Sequence, residues 1–219
     1  MRADLPHLLM RKQLRKTQWP LCSTWYHGTS KPIQKVNNYF HVSQRNDALE
    51  AVAHKQMIGV KSYGSYLYEV QLKLAEDYIL YVEDWTHNHL GLAYAVDRAL
   101  ADDPRRAAVA SALAAIEELA IDRKAEGLSA DRHNTQFRLL AFDIFSDHLV
   151  NVGIQGLAYK NRITDSGEYS FCVLNVKNIL SVKDCSKSVS QTEWQQAAMM
   201  AQHATLEEPI TNRTLKRWD

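Results

Sequence analysis

The chain has 219 residues, 46% of them apolar and 23% charged, which suits one domain, or one domain carrying a helical insertion, with enough apolar mass for a core. Its 26 basic and 25 acidic side chains leave a formal charge of +1, so the composition carries no general nucleic-acid or membrane signature. Three cysteines (Cys22, Cys172 and Cys185) at long spacings, with no CxxC, argue against a disulfide framework or structural zinc and for a reducing compartment.

No run of about 18 apolar residues occurs, so no membrane helix is expected. The apolar run at the N-terminus is too short and too charged for a signal peptide. The expected location is cytoplasmic, in the protein's own cell or in a target cell. Residues 1–20 form a basic arm, with Arg2, Arg11, Lys12, Arg15 and Lys16 among a few leucines.

Residues 24–29, Thr-Trp-Tyr-His-Gly-Thr, read as a short strand ending in a turn. Asn37-Asn38 is a turn signal, and Tyr39-Phe40-His41-Val42-Ser43 reads as a second strand. Ser43 is placed to cap a helix over about 46–56, where Ala48, Leu49, Val52 and Ala53 share a face. After Gly64 the chain alternates: Tyr66, Tyr68, Val70, Leu72 and Leu74 fall on one side, the pattern of a half-buried strand.

From about 88 to 148 the sequence turns alanine-rich and helical. Asp103-Pro104 marks a helix start, with a carboxylate cap and proline at the first helical position. Val109, Leu113, Ile116 and Ala120 form its apolar stripe, and Gly127 ends it. A further helix over about 131–148 is expected to bury Phe137, Leu140, Ile144 and Phe145. Strands return at 155–160 and 168–176, separated by the polar loop 161–167. Ser190 and Glu193 have the spacing of a capping box opening a last helix.

Several chemistries find no support. No GxG occurs, so the dinucleotide fingerprint of doubly wound folds is absent. Gly59 and Gly64 have phosphate-loop spacing, but Ser65-Tyr66 stand where Lys-Ser/Thr would be needed. There is no HExxH, and the His87-x-His89 pair reads as surface rather than metal site.

Three segments remain: Trp25-Tyr26-His27-Gly28-Thr29, then Tyr39-Phe40-His41-Val42-Ser43, then Ser166-Gly167-Glu168-Tyr169-Ser170-Phe171-Cys172-Val173 followed by Lys177-Asn178-Ile179. Singly, each has an ordinary structural reading. In this order they resemble the ADP-ribosyltransferase superfamily, in the His-Tyr-Glu branch that includes diphtheria toxin and the poly(ADP-ribose) polymerases. The resemblance covers about 24–75 and 153–182, not the helical block or the termini.

The resemblance implies an α+β fold: a split, mostly antiparallel β core, one domain over residues 1–219 with a helical insertion at about 88–148. It implies NAD as co-substrate and Glu168, His27 and Tyr39 as catalytic residues. His27 would bond the adenosine-side ribose, Gly28 would bind the nicotinamide carboxamide through its backbone, and Tyr39 would stack on nicotinamide. Glu168 would accept from the 2′-hydroxyl of the nicotinamide ribose. Thr29, Tyr26 and Ser43 complete the cofactor-binding set. Arg162, Asp165 and Ser166 fall in the substrate loop. Arginine-modifying members carry Glu or Gln where this chain has Ser166, so an arginine target is disfavoured.

Elementary chemistry supports this division of labour. Breaking the nicotinamide–ribose bond builds positive charge on the sugar, and a carboxylate there stabilises the transition state more than the ground state. Glu168, just after Ser-Gly at a strand's start, is the best-placed carboxylate; Asp165 is the fallback. The expected acceptor is a macromolecule: protein, DNA or RNA. Family habit points to bacterial or phage toxins and defence effectors, with an antitoxin or inhibitor protein as partner and no membrane. The rival readings are an NAD glycohydrolase, an RNA 2′-phosphotransferase whose extra basic residues are not located here, and an inactive binding module using 88–148 as its partner surface.

Overall fold

A computed structural model describes residues 24–57, 64–74, 78–83, 85, 88–131, 133–160 and 169–207. The basic arm, His87, the loop 161–167 and Glu168 lie outside the described residues.

The chain is α+β, with two sheets and five helices among the described residues. The strands are β1 (Thr24–Thr29), β2 (Phe40–Val42), β3 (Tyr66–Leu72), β4 (Ile79–Tyr81), β5 (Gly156–Lys160), β6 (Tyr169–Val173) and β7 (Ile179–Asp184). The helices are α1 (Arg45–Met57), α2 (His89–Ala99), α3 (Ala107–Ala125), α4 (Thr135–Asn151) and α5 (Gln191–Glu207). One sheet has the order β1-β3-β7 and is antiparallel throughout. The other has the order β2-β6-β5-β4, antiparallel except for the parallel pair β4–β5.

Apolar alternation stacks these pieces. Trp25, Tyr68, Val70 and Leu72 from one sheet pack against Phe40, Val42, Ala158, Phe171 and Val173 from the other, which makes the inter-sheet core. Strand residues of opposite parity face outward. On the four-stranded sheet these are Leu157, Tyr159, Cys172 and Leu174, and they are covered by α2, α3 and α4. On the three-stranded sheet Leu67 is covered by α1 and α5, through Ala48, Leu49, Ala53, Ala197 and Ala201. The four-stranded sheet is therefore buried on two sides; on the three-stranded sheet the helical cover reaches Leu67, while Gln71, Ser181 and Lys183 on the same face stay exposed.

The local punctuation works as the residue types dictate. The Asp103 carboxylate accepts from the Arg105 backbone N–H at 2.9 Å, and Pro104 opens the short 3₁₀ turn that leads into α3. Gly127, at φ +72°, follows α3 in the left-handed conformation, and the Leu128 N–H reaches back to the Arg123 carbonyl at 2.7 Å. Before α5, the Ser190 backbone N–H donates to Glu193, and the Glu193 N–H donates to the Ser190 hydroxyl, a reciprocal capping box.

Three expectations need correction. Ser43 does not cap α1: it is buried, exchanges two backbone hydrogen bonds with Tyr26, and donates its hydroxyl to the Gln44 carbonyl. On α4 the expected Phe137 and Phe145 are buried and Ile144 partly so, but Leu140 is exposed and Ala141, Phe142, Ser146 and Leu149 are buried instead, because α4 packs against α2 and α3 as well as the sheet. His89 is not a surface residue: it is 5% exposed and packs edge-on against Phe137. No helix among the described residues is long and apolar enough to cross a membrane.

Candidate functional site

β1 and β2 meet through the Tyr26–Ser43 bridge, where each backbone N–H donates to the other's carbonyl at 2.9 Å. Among the described residues that bridge is the one backbone pairing between the two strands. The next bond is made by a side chain. His27 Nδ1 lies 2.6 Å from the His41 carbonyl oxygen. A carbonyl only accepts, so Nδ1 carries the proton and Nε2 holds the free lone pair. The His27 ring also stacks on Phe40, with centroids 4.4 Å apart.

Burial pushes the His27 pKa down to about 4, against the bond to His41, which raises it; the nearby Lys55 ammonium lowers it further. His27 is therefore neutral across the physiological range. Its ring is locked in one tautomer, with a bare nitrogen suited to accept from a hydroxyl. Lys55 is itself lowered from its ordinary value by burial, and among the described residues it has no ion-pair partner. It sits seven residues after Ala48 on α1, on the face that packs along β1.

Gly28 fixes that packing. A Cβ on Gly28 would lie 1.9 Å from the Ala48 carbonyl oxygen and 2.8 Å from Val52 Cγ2. The glycine is required by the close approach of α1 to β1.

His27 opens onto a cleft of about 820 Å³, within the usual range of small-molecule pockets. One wall is the loop from Thr29 to Phe40, including Lys31, Lys35, Asn37, Asn38 and Tyr39; the other is α4, through Leu139, Phe142 and Asp143. Burial and then the neighbouring Asp147 raise the Asp143 carboxyl, against the pull of Lys35.

Tyr39 has the left-handed φ of +62°, which is strained for a bulky residue. Its ring stacks on Phe142 at 4.1 Å and 11°, and its hydroxyl accepts from the Trp85 indole N–H at 2.5 Å. One ring face is thus already covered by α4. His41 and Tyr159 share a hydrogen bond at 2.7 Å in the same aromatic cluster, and Trp85 packs on Tyr159.

The structure thus brings His27, Thr29 and Tyr39 to one cleft. Tyr26 lies against the α1–α5 side and Ser43 is buried at the bridge, both away from the cleft lining. Glu168, Arg162, Asp165 and Ser166 lie outside the described residues. The register nevertheless locates the start of β6. Phe40 faces Val173 and Val42 faces Phe171, so Tyr169 belongs to the far end of the pair, roughly 13 Å along the strand from Phe40. His41, which holds His27, faces Cys172, and so stands between the two ends.

Sequence reading missed Lys55, Trp85, Phe142 and Asp143. No local motif marks them; they reach the site through tertiary packing. Among the described residues no group of three potential metal ligands occurs. No family model, no curated protein and no solved structure matches the chain.

Proposed function

We propose that the chain is an NAD-dependent ADP-ribosyltransferase that passes ADP-ribose to a macromolecular acceptor. The observation that carries this reading is His27: a neutral imidazole, clamped to the His41 carbonyl, opening onto a cleft that it shares with Tyr39. It sits in the His-Gly-Thr segment, next to the Tyr26–Ser43 bridge that joins the two sheets. An acceptor nitrogen opening onto the cleft fits a ribose hydroxyl, which must lose its water on binding and needs a partner in return.

In the reaction, the bond between the ribose C1′ and the nicotinamide nitrogen breaks, and its electron pair leaves with nicotinamide. The acceptor's nucleophilic atom then bonds C1′ and releases its proton. His27 holds the ribose, Tyr39 offers an aromatic surface, and Glu168 stabilises the cationic sugar. Removing one such stabilising group typically costs about 10²–10³ in rate.

The test is incubation with NAD labelled in its adenylate, plus a cell lysate, followed by separate protease and nuclease digestion. Label on a macromolecule, lost in Glu168→Gln and His27→Ala, is the expected result. Label found only as free ADP-ribose would make the protein an NAD glycohydrolase. Full activity in Glu168→Gln would refute the assignment of the carboxylate.

A further inference from the structure

The helical block is not only a cover for the sheet. Trp85, just before α2, donates its indole N–H to the Tyr39 hydroxyl at 2.5 Å. Phe142, on α4, lies flat against the Tyr39 ring at 4.1 Å. Together they hold a residue whose backbone sits at φ +62°, a conformation that persists only where the surroundings over-determine it. Tyr39 and Phe142 both line the cleft with His27.

We propose that Trp85 is a positioning residue for the NAD site, acting through Tyr39, whose ring Phe142 backs on one side. This rests on the transferase reading. Without the indole N–H, the phenol loses the bond that fixes its tilt, while the Phe142 stack remains. The ring would then sample orientations that do not match a flat ligand, and ground-state binding weakens before chemistry does.

The experiment compares Trp85→Phe, Tyr39→Phe and the double variant in NAD turnover, with unfolding curves for all four proteins. Trp85→Phe keeps an aromatic ring against Tyr159 and removes the donor together with some volume. Its KM for NAD is expected to rise about fivefold, the size of one neutral hydrogen bond, with kcat within about twofold. In the Tyr39→Phe background the same change should leave KM unmoved, because the acceptor is gone. Phe142→Leu should raise KM in its own right. A merely structural role would lower the folded fraction, and so apparent kcat, at constant KM.

A Trp85→Phe protein with unchanged KM, or with the same KM increase whether or not the Tyr39 hydroxyl is present, would overturn the assignment alone. Absence of NAD turnover by the unaltered protein would overturn the transferase reading and this role with it. Non-additive stabilities in the same four proteins would then still show that the Trp85–Tyr39 contact exists.

Discussion

His27 predicts an acid-sensitive fold, and the size of the effect follows from its pKa. The unfolded chain takes a proton on this ring near the ordinary value of 6.5, the folded chain only near about 4. Above 6.5 both states are neutral and the residue adds no pH dependence. Between 6.5 and 4 the unfolded state binds the proton that the folded state refuses, so stability falls as pH falls. Below about 4 the folded state is protonated too and the loss is complete. At ~1.4 kcal/mol per pH unit, the whole window is worth about 3 kcal/mol. His27→Gln should start about 1 kcal/mol less stable at pH 7.5, for the lost bond to the His41 carbonyl. It should then lose about 3 kcal/mol less on acidification, so that the two stability curves cross a little below pH 6. Urea unfolding at half-unit steps from pH 7.5 to 4 measures this, and an NMR titration of the ring checks the cause. Parallel curves, or a His27 midpoint at 6 or above, would refute the account of a buried, neutral, backbone-clamped ring. The same pKa predicts that His27 itself contributes no acid limb to enzyme activity above about pH 5.5.

Replacing Lys55 with Met removes the cation beside His27 and should raise the His27 midpoint, read in the same titration. Gly28→Ala drives a methyl into the Ala48 backbone carbonyl at 1.9 Å, which no side-chain rotation relieves. The cost belongs at the upper end of overpacking, about 3 kcal/mol, or a melting point lower by about 6–12 °C; an unchanged melting point would mean that α1 does not approach β1 this closely. Ser190→Ala removes the hydroxyl that caps α5 and should cost about 1 kcal/mol in chemical unfolding, with no change in NAD turnover.

The elements that the sequence made legible are those whose environment is simple. β3 alternates because one of its faces looks into the inter-sheet core, and the caps at Asp103, Gly127 and Ser190 are local hydrogen-bond chemistry. What stayed hidden depends on partners. β4 is three residues long and pairs in parallel with β5 at a sheet edge, too short to show a period. β7 is the edge of its sheet, with only Ile179 and Val182 partly buried, so its pattern is faint. The α4 stripe is legible at Phe137 and Phe145 and fails at Leu140, because that helix touches neighbours on two sides. At the site, His27 was legible from His-Gly-Thr and Tyr39 from the strand that follows. Lys55, Trp85, Phe142 and Asp143 were not, since tertiary packing alone brings them there. The strain at Tyr39 was equally invisible, because nothing local calls for a left-handed tyrosine.

The helical block also bears on how the molecule works as a unit. It covers Leu157, Tyr159, Cys172 and Leu174, each between 0% and 6% exposed, so a chain lacking it would bare the outer face of the four-stranded sheet. It also supplies one wall of the cleft, and Trp85 ahead of α2 completes the hold on Tyr39. The same contacts that bury the sheet therefore shape the site.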